Sequence, residues 1–154
     1  MDSISPIGVI VGGIVDMVAT MILTLPVLVS VAADLHLAGV PPALRTQLLN
    51  DAMRSNVGVY GLLTLLGAAG SVIGGYVGAA LAKRAEVLNG ALTAYFCVGV
   101  SLWSILHGPQ QMPLWIHWLL LPVSPALGAL GGYWRQVRKA SRDQAKRALE
   151  TTAP

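Results

Sequence analysis

Apolar residues fall into four long runs, roughly 7–33, 57–82, 87–107 and 114–134, with short polar stretches between them. Each run is close to the ~20 apolar residues that carry a helix across a bilayer. The pattern predicts an all-α, polytopic membrane protein: a four-transmembrane-helix bundle over 1–134, followed by a basic tail over 135–154. The one long connection carries a different period. Within 41–56, Leu44, Leu48, Leu49 and Met53 share one helical face, whereas Arg45, Gln47, Asp51 and Arg54 lie mostly on the other. Pro42 suits the first helical position. A short amphipathic helix lying on the outer membrane surface follows.

Composition sharpens this picture. The chain is 55% hydrophobic and 11% charged, with a mean hydropathy of +0.66. A soluble domain carries about 25% charged residues, so these side chains cannot cover a globule in water. The single cysteine, Cys97, excludes an intramolecular disulfide. The first residues, MDSISP, hold no Lys or Arg. The apolar run after them is longer than the about 7–15 residues of a signal-peptide core, so it is expected to stay as a helix.

Charge supplies an orientation. Lys83 and Arg84 follow the second run, and Arg135, Arg138, Lys139, Arg142, Lys146 and Arg147 follow the fourth. If every run spans, these lie on one side and only Arg45 and Arg54 on the other. Basic residues stay cytoplasmic, which places both termini on the cytoplasmic side. Tyr60, Trp103, Trp115 and Trp118 then mark the outer boundary, and Tyr133 and Trp134 the inner one, as amphipathic rings prefer. The basic tail is expected to attract anionic lipid. It has neither interleaved aromatics nor a recognition motif, so nucleic acid is not an expected partner.

Small residues recur every four positions. Gly70, Gly74 and Gly78 form a ladder on the second helix, beside Gly67, Ser71, Gly75 and Ala79; Ser124, Gly128 and Gly132 form another on the fourth. Such ladders let helix backbones approach closely in lipid, where apolar burial gives little drive to associate. Gly74-Gly75-Tyr76 and Gly131-Gly132-Tyr133, each followed by basic residues, suggest a two-hairpin repeat over 1–82 and 85–135. A Gly-Gly-Tyr coincidence in a glycine-rich chain gives the same match.

One residue stands out chemically. Asp16 lies about ten residues into the first apolar run, at a depth where a charged Asp costs about 2.5–3.5 kcal/mol on insertion scales. Gly8, Gly12, Asp16, Thr20 and Thr24 form a small, polar stripe; Asn89, Thr93, Cys97 and Ser101 form a matching one on the third helix. Facing stripes would make Asp16, Thr20, Asn89, Thr93 and Ser101 an intramembrane proton or substrate site. They would equally give Asp16 the hydrogen bonds of a packing residue. Pro26, Pro122 and Pro125 are expected to kink the first and fourth helices. His36, His107 and His117 all belong to the outer boundary but lack ligand-pair spacing, a weak basis for a metal site. No cofactor motif and no nucleophile–base pair can be drawn, so an enzyme is not expected.

Two resemblances add to this. The stretch GGYVGAALAKRAEVLNGALTA, 74–94, resembles a helix–basic turn–helix pattern in small bacterial four-helix membrane proteins, which implies an inner-membrane location and no activity. DMVAT, 16–20, looks like the first helix of small multidrug resistance exporters, whose acid exchanges protons for cationic drugs. Only Asp16 and Thr20 carry over. Asp stands where that family has Glu, and the 34–56 connection is long.

Two functions follow. The first is a small non-enzymatic membrane protein, an oligomer or an accessory, structural subunit that meets other membrane subunits or itself through its ladders, outer helix and tail. It predicts Asp16 sealed within protein. The alternative is a proton-coupled small-solute transporter or channel with Asp16 as the titrating group. It predicts a cavity that reaches Asp16.

Overall fold

The computed structural model describes residues 4–82, 84–107 and 122–152, with positions 100, 101, 104–107 and 150–152 described for their backbone only. Among the described residues every regular element is a helix: α1 (Pro6–Asp34), α2 (Pro42–Ser55), α3 (Val57–Ala82), α4 (Glu86–His107) and α5 (Val123–Thr152). Helix starts follow local chemistry. The Ser5 hydroxyl accepts from the Gly8 amide at 3.1 Å with Pro6 in the first position, and Asn56 Oδ1 accepts from the Val59 amide at 3.1 Å to open α3.

Among the described residues two helices are long and apolar enough to cross a membrane: α1, with 29 residues, and α3, with 26. At 1.5 Å per residue each reaches past the ~30 Å hydrocarbon thickness of a bilayer. The first three expected boundaries differ from the observed ones by at most a residue. The fourth expected run, 114–134, lies partly outside the described residues. Its described part begins at Val123 and runs without a break to Thr152, through the expected junction of helix and tail. Residues 135–147 are rich in Arg, Lys, Gln and Ala, all good helix formers. Pro122 precedes α5 and Pro125 falls in its first turn, where a proline removes no intrahelical bond. Neither therefore kinks it, and α1 runs on through Pro26.

The helices form a bundle around α3, which touches all four others; α1 also meets α4, α4 packs on α5, and α2 contacts only α1 and α3. Two ends can be named. The proximal end carries Ser5, Arg84 and Tyr133, and the distal end carries Asp34, α2 and Val123.

Burial is inverted relative to a soluble protein. Among the described residues the buried hydrophobic ones are Val31, Ala79 and Ala94, while Asp16, Glu86, Asn89 and Thr93 are buried polar residues. Large apolar side chains face outward instead, among them Ile7, Met21, Ile22 and Leu65. The interior is made of glycine. A Cβ at Gly75 would strike the Gly128 carbonyl, one at Gly131 the Val72 carbonyl, and one at Gly132 the Glu86 carbonyl. Backbone therefore lies on backbone at the α3–α5 and α4–α5 crossings, and dispersion between close-packed main chains holds them. Gly70, Gly74 and Gly78 sit on the α1–α3–α4 contact, and Gly128 and Gly132 on the α4–α5 contact. Gly75 meets Gly128, four positions before Gly132, its counterpart in the Gly-Gly-Tyr repeat, and Gly131 meets Val72, two positions before its counterpart Gly74.

Helix α2 has no buried residue; Leu44 and Leu48 are exposed, and Leu49 and Met53 half-buried. His36 and Gly39 turn the chain between α1 and α2 with positive φ.

Candidate functional site

Asp16 projects from the middle of α1 against α3 and is only 3% exposed. It fits there because residues 70 and 74 lack side chains. A Cβ at Gly74 would meet the Asp16 Cβ, and one at Gly70 would overlap the Thr20 hydroxyl. Three donors reach the carboxyl group. Thr20 donates to Oδ1 at 3.4 Å, Ser71 lies 3.4 Å from Oδ1 and 3.2 Å from Oδ2, and the Cys97 thiol donates to Oδ2 at 3.2 Å. A carboxylate offers about four acceptor sites, and a hydroxyl has one hydrogen to give. Three donors thus leave it capacity for a proton, a water or a cation. The two hydroxyl bonds, at 3.2–3.4 Å, are longer than the usual 2.5–3.0 Å for O–H···O, so the hydroxyls hold the group loosely.

Beside it opens a cavity of about 420 Å³, lined by Asp16, Thr20, Ser71, Cys97 and Ser124 among the polar groups and by Met17, Met21 and Gly67. It extends from Asp16 toward the distal end, the direction in which Met21 and Gly67 lie. The volume falls in the range of small-molecule sites, about 300–1,000 Å³. Three donors on the Asp16 carboxyl group, with Ser124 in the same wall, make it suited to a proton or a small cation.

The expected site residues separate. Asp16 and Thr20 belong to the cavity. Asn89 does not. It is fully buried at the proximal end, where its Oδ1 accepts from the Ser5 amide at 2.8 Å and its Nδ2 donates to the Arg84 and Ala85 carbonyls at 3.0 and 3.1 Å. Asn89 ties the start of α1 to the α3–α4 turn and holds Ala85 at φ 47, a left-handed conformation rare outside Gly, Asn and Asp. Thr93 is also fully buried; its hydroxyl donates to the Asn89 carbonyl at 2.9 Å, and its side chain fills the space left by Gly12 and Gly78. Ser101 lies on α4, and its side chain is outside the described set.

Ser71, Cys97 and Ser124 join Asp16 although the sequence places Ser71 and Ser124 in packing ladders and Cys97 only in a stripe. The available signal was depth. Ser71 lies about as far from the proximal end of α3 as Asp16 does from that of α1, so antiparallel spans bring them level.

A second polar cluster closes the proximal end. Lys139 on α5 reaches Glu86 Oε1 on α4 at 2.8 Å. The Lys139 ammonium holds the Glu86 carboxyl below the usual carboxylate range, against the opposing effect of its partial burial.

Among the described residues no three of His, Cys, Asp and Glu come together to hold a metal. His36 is exposed, with Nδ1 2.9 Å from the Asp34 carbonyl. The side chain of His107 and all of His117 lie outside the described residues. Comparison with protein-family models, with curated proteins and with solved structures finds no match to this chain.

Proposed function

We propose that this chain is a non-enzymatic, four-span protein of the bacterial inner membrane, with both termini cytoplasmic, and that it moves protons together with a small solute through the cavity at Asp16. Inverted burial supports the membrane reading. Only 6% of the apolar window of α1 and 11% of that of α3 is buried within the protein, so these are not core helices of a soluble fold. Arg84 of the α3–α4 turn and the basic residues of α5 cluster at the proximal end, which is the cytoplasmic end in this reading. The observation that carries the transport reading is the 420 Å³ cavity with the Asp16 carboxyl in its wall. Asp16 itself is only 3% exposed, so the support comes from the space beside the carboxyl group and not from its exposure, and ionisable groups within a span mark ion and proton paths.

A second reading, an accessory or structural subunit of a membrane complex, rests on other surfaces: α2, with no buried residue, and the exposed α5 extension over 140–149. One experiment separates the two. Protein in liposomes loaded with a pH-sensitive dye is given a pH gradient, with Asp16→Asn alongside. The transport reading expects dissipation by the wild type and a loss of tenfold or so in the variant, the scale of a barrier change of about 1.4 kcal/mol. Equal fluxes, together with recovery from native membranes in stoichiometric company with a larger assembly, would replace it with the subunit reading.

A further inference from the structure

A second cavity, about 470 Å³, lies on the opposite side of α3 from Asp16, between α3 and α5 at the proximal end. Its walls are Val72, Ile73, Tyr76, Trp134, Val137 and Arg138. These residues divide by depth. Val72 and Ile73 lie further toward the centre of α3 and offer only hydrocarbon, whereas Tyr76, Trp134 and Arg138 form the rim nearest the proximal end. Tyr76 and Arg138 line the rim together, and Arg135 and Arg142, three and four positions from Arg138, fall on the same face of α5. Lys139 is turned the other way, toward Glu86. The rim therefore gathers positive charge from one face of α5 over a groove whose floor is apolar.

We propose that this groove is a binding site for an anionic phospholipid of the cytoplasmic leaflet, with the phosphate at Arg138 and Tyr76 and an acyl chain along Val72 and Ile73. The site rests on the membrane reading above, which places the proximal end at the inner headgroup level. Three features select this occupant. Arginine pairs with phosphate through two parallel N–H donors. Trp134, 61% exposed, and Tyr76 are rings that sit at the headgroup boundary. The apolar floor has no partner of its own, as Ile73 is 43% exposed; a free phosphate would leave it bare and an acyl chain covers it. Basic pockets between helices on the cytoplasmic side are the usual form of such sites. The same occupant would brace the α3–α5 crossing, because it bridges both helices just beside the Gly75–Gly128 contact.

The test begins with alkaline carbonate washing of membranes that carry the protein. Release into the supernatant would sink the membrane reading itself. Protein that stays in the pellet is then extracted in mild detergent, and its bound lipid is measured by native mass spectrometry after exchange into mixed phosphatidylglycerol and phosphatidylcholine. The proposal expects retained phosphatidylglycerol in preference to phosphatidylcholine, with a loss of about fivefold in Arg138→Ala, the scale of one basic residue at a membrane surface. Lys146→Ala removes the same charge two turns further along α5 and should change retention less than about twofold. Ile73→Trp fills the groove while leaving every charge in place, and should lower retention as Arg138→Ala does. Equal losses in Arg138→Ala and Lys146→Ala would reduce the site to diffuse surface attraction. Full retention in Ile73→Trp, or displacement of the lipid by millimolar inorganic phosphate, would overturn the proposal.

Discussion

At the proximal end of the bundle main chain lies on main chain. Gly75 meets Gly128, Gly131 meets Val72, and Gly90 faces both Gly128 and Gly132. Toward the distal end the same residue type is used without contact: a Cβ added at Gly61, Gly67 or Gly99 would meet no described atom within 4 Å. The buried residues follow the same division. Nearly all lie within 8–16, 70–79, 86–94 and 125–132, and only Val31 lies beyond them. Asp16 stands where the two halves meet, with the tight half on one side and the cavity on the other. Glycine spacing therefore carries no fixed meaning. A ladder packs where a second ladder reaches it at the same depth, and elsewhere it leaves space that a cavity can use.

Substitutions at glycine should show this contrast most strongly. Gly128→Leu forces α5 off both α3 and α4 and is expected to cost about 3 kcal/mol or more, seen as loss of a cooperative transition in detergent unfolding followed by tryptophan fluorescence. Gly99→Ala should stay within about 1 kcal/mol of the parent, on the stabilising side, because it adds helix propensity and displaces nothing. Comparable damage from the two would mean that the halves are equally packed.

Asn89→Ala is expected to cost less, about 1–3 kcal/mol, by leaving the Ser5 amide and the Arg84 and Ala85 carbonyls without their side-chain partner. The loss should be concentrated at the proximal end: amide exchange would quicken around Ser5 and Glu86 and stay unchanged near Thr64. Uniform quickening through α1 and α3 would contradict a local tie.

The smallest effect is electrostatic. The Glu86 carboxyl is held below its ordinary range in the folded state. Its contribution to stability is therefore complete above the ordinary Glu value near 4.5 and fades as pH falls through the lowered one. The Lys139 side chain is 44% exposed, so the pair is worth less than about 1 kcal/mol. Glu86→Gln should flatten stability across that acid range and lower it by less than about 1 kcal/mol at neutral pH, where the pair is fully formed. A variant with the parent's acid profile would assign the acid sensitivity to another group.

The sequence by itself determined where the first three long helices begin and end. Hydrophobic length, caps such as Ser5 and Asn56, and the prolines at positions 6 and 42 act locally, and a helix satisfies its own backbone wherever it is placed. It also marked Asp16, because a carboxyl group within an apolar run is costly in any fold. Only the tertiary structure decided which polar residues meet. Asn89 and Asp16 lie on stripes that the four-residue period makes equivalent, yet Asn89 sits two turns nearer the proximal end, tied to Ser5, while Ser71 and Cys97 take the carboxyl group. The same holds for Gly75, which meets Gly128, about one turn from Gly132, its counterpart in the Gly-Gly-Tyr repeat. Period fixes the face of a helix but not its rotation or its depth against a neighbour. Those are set by close packing of all the crossings together, which no single helix encodes.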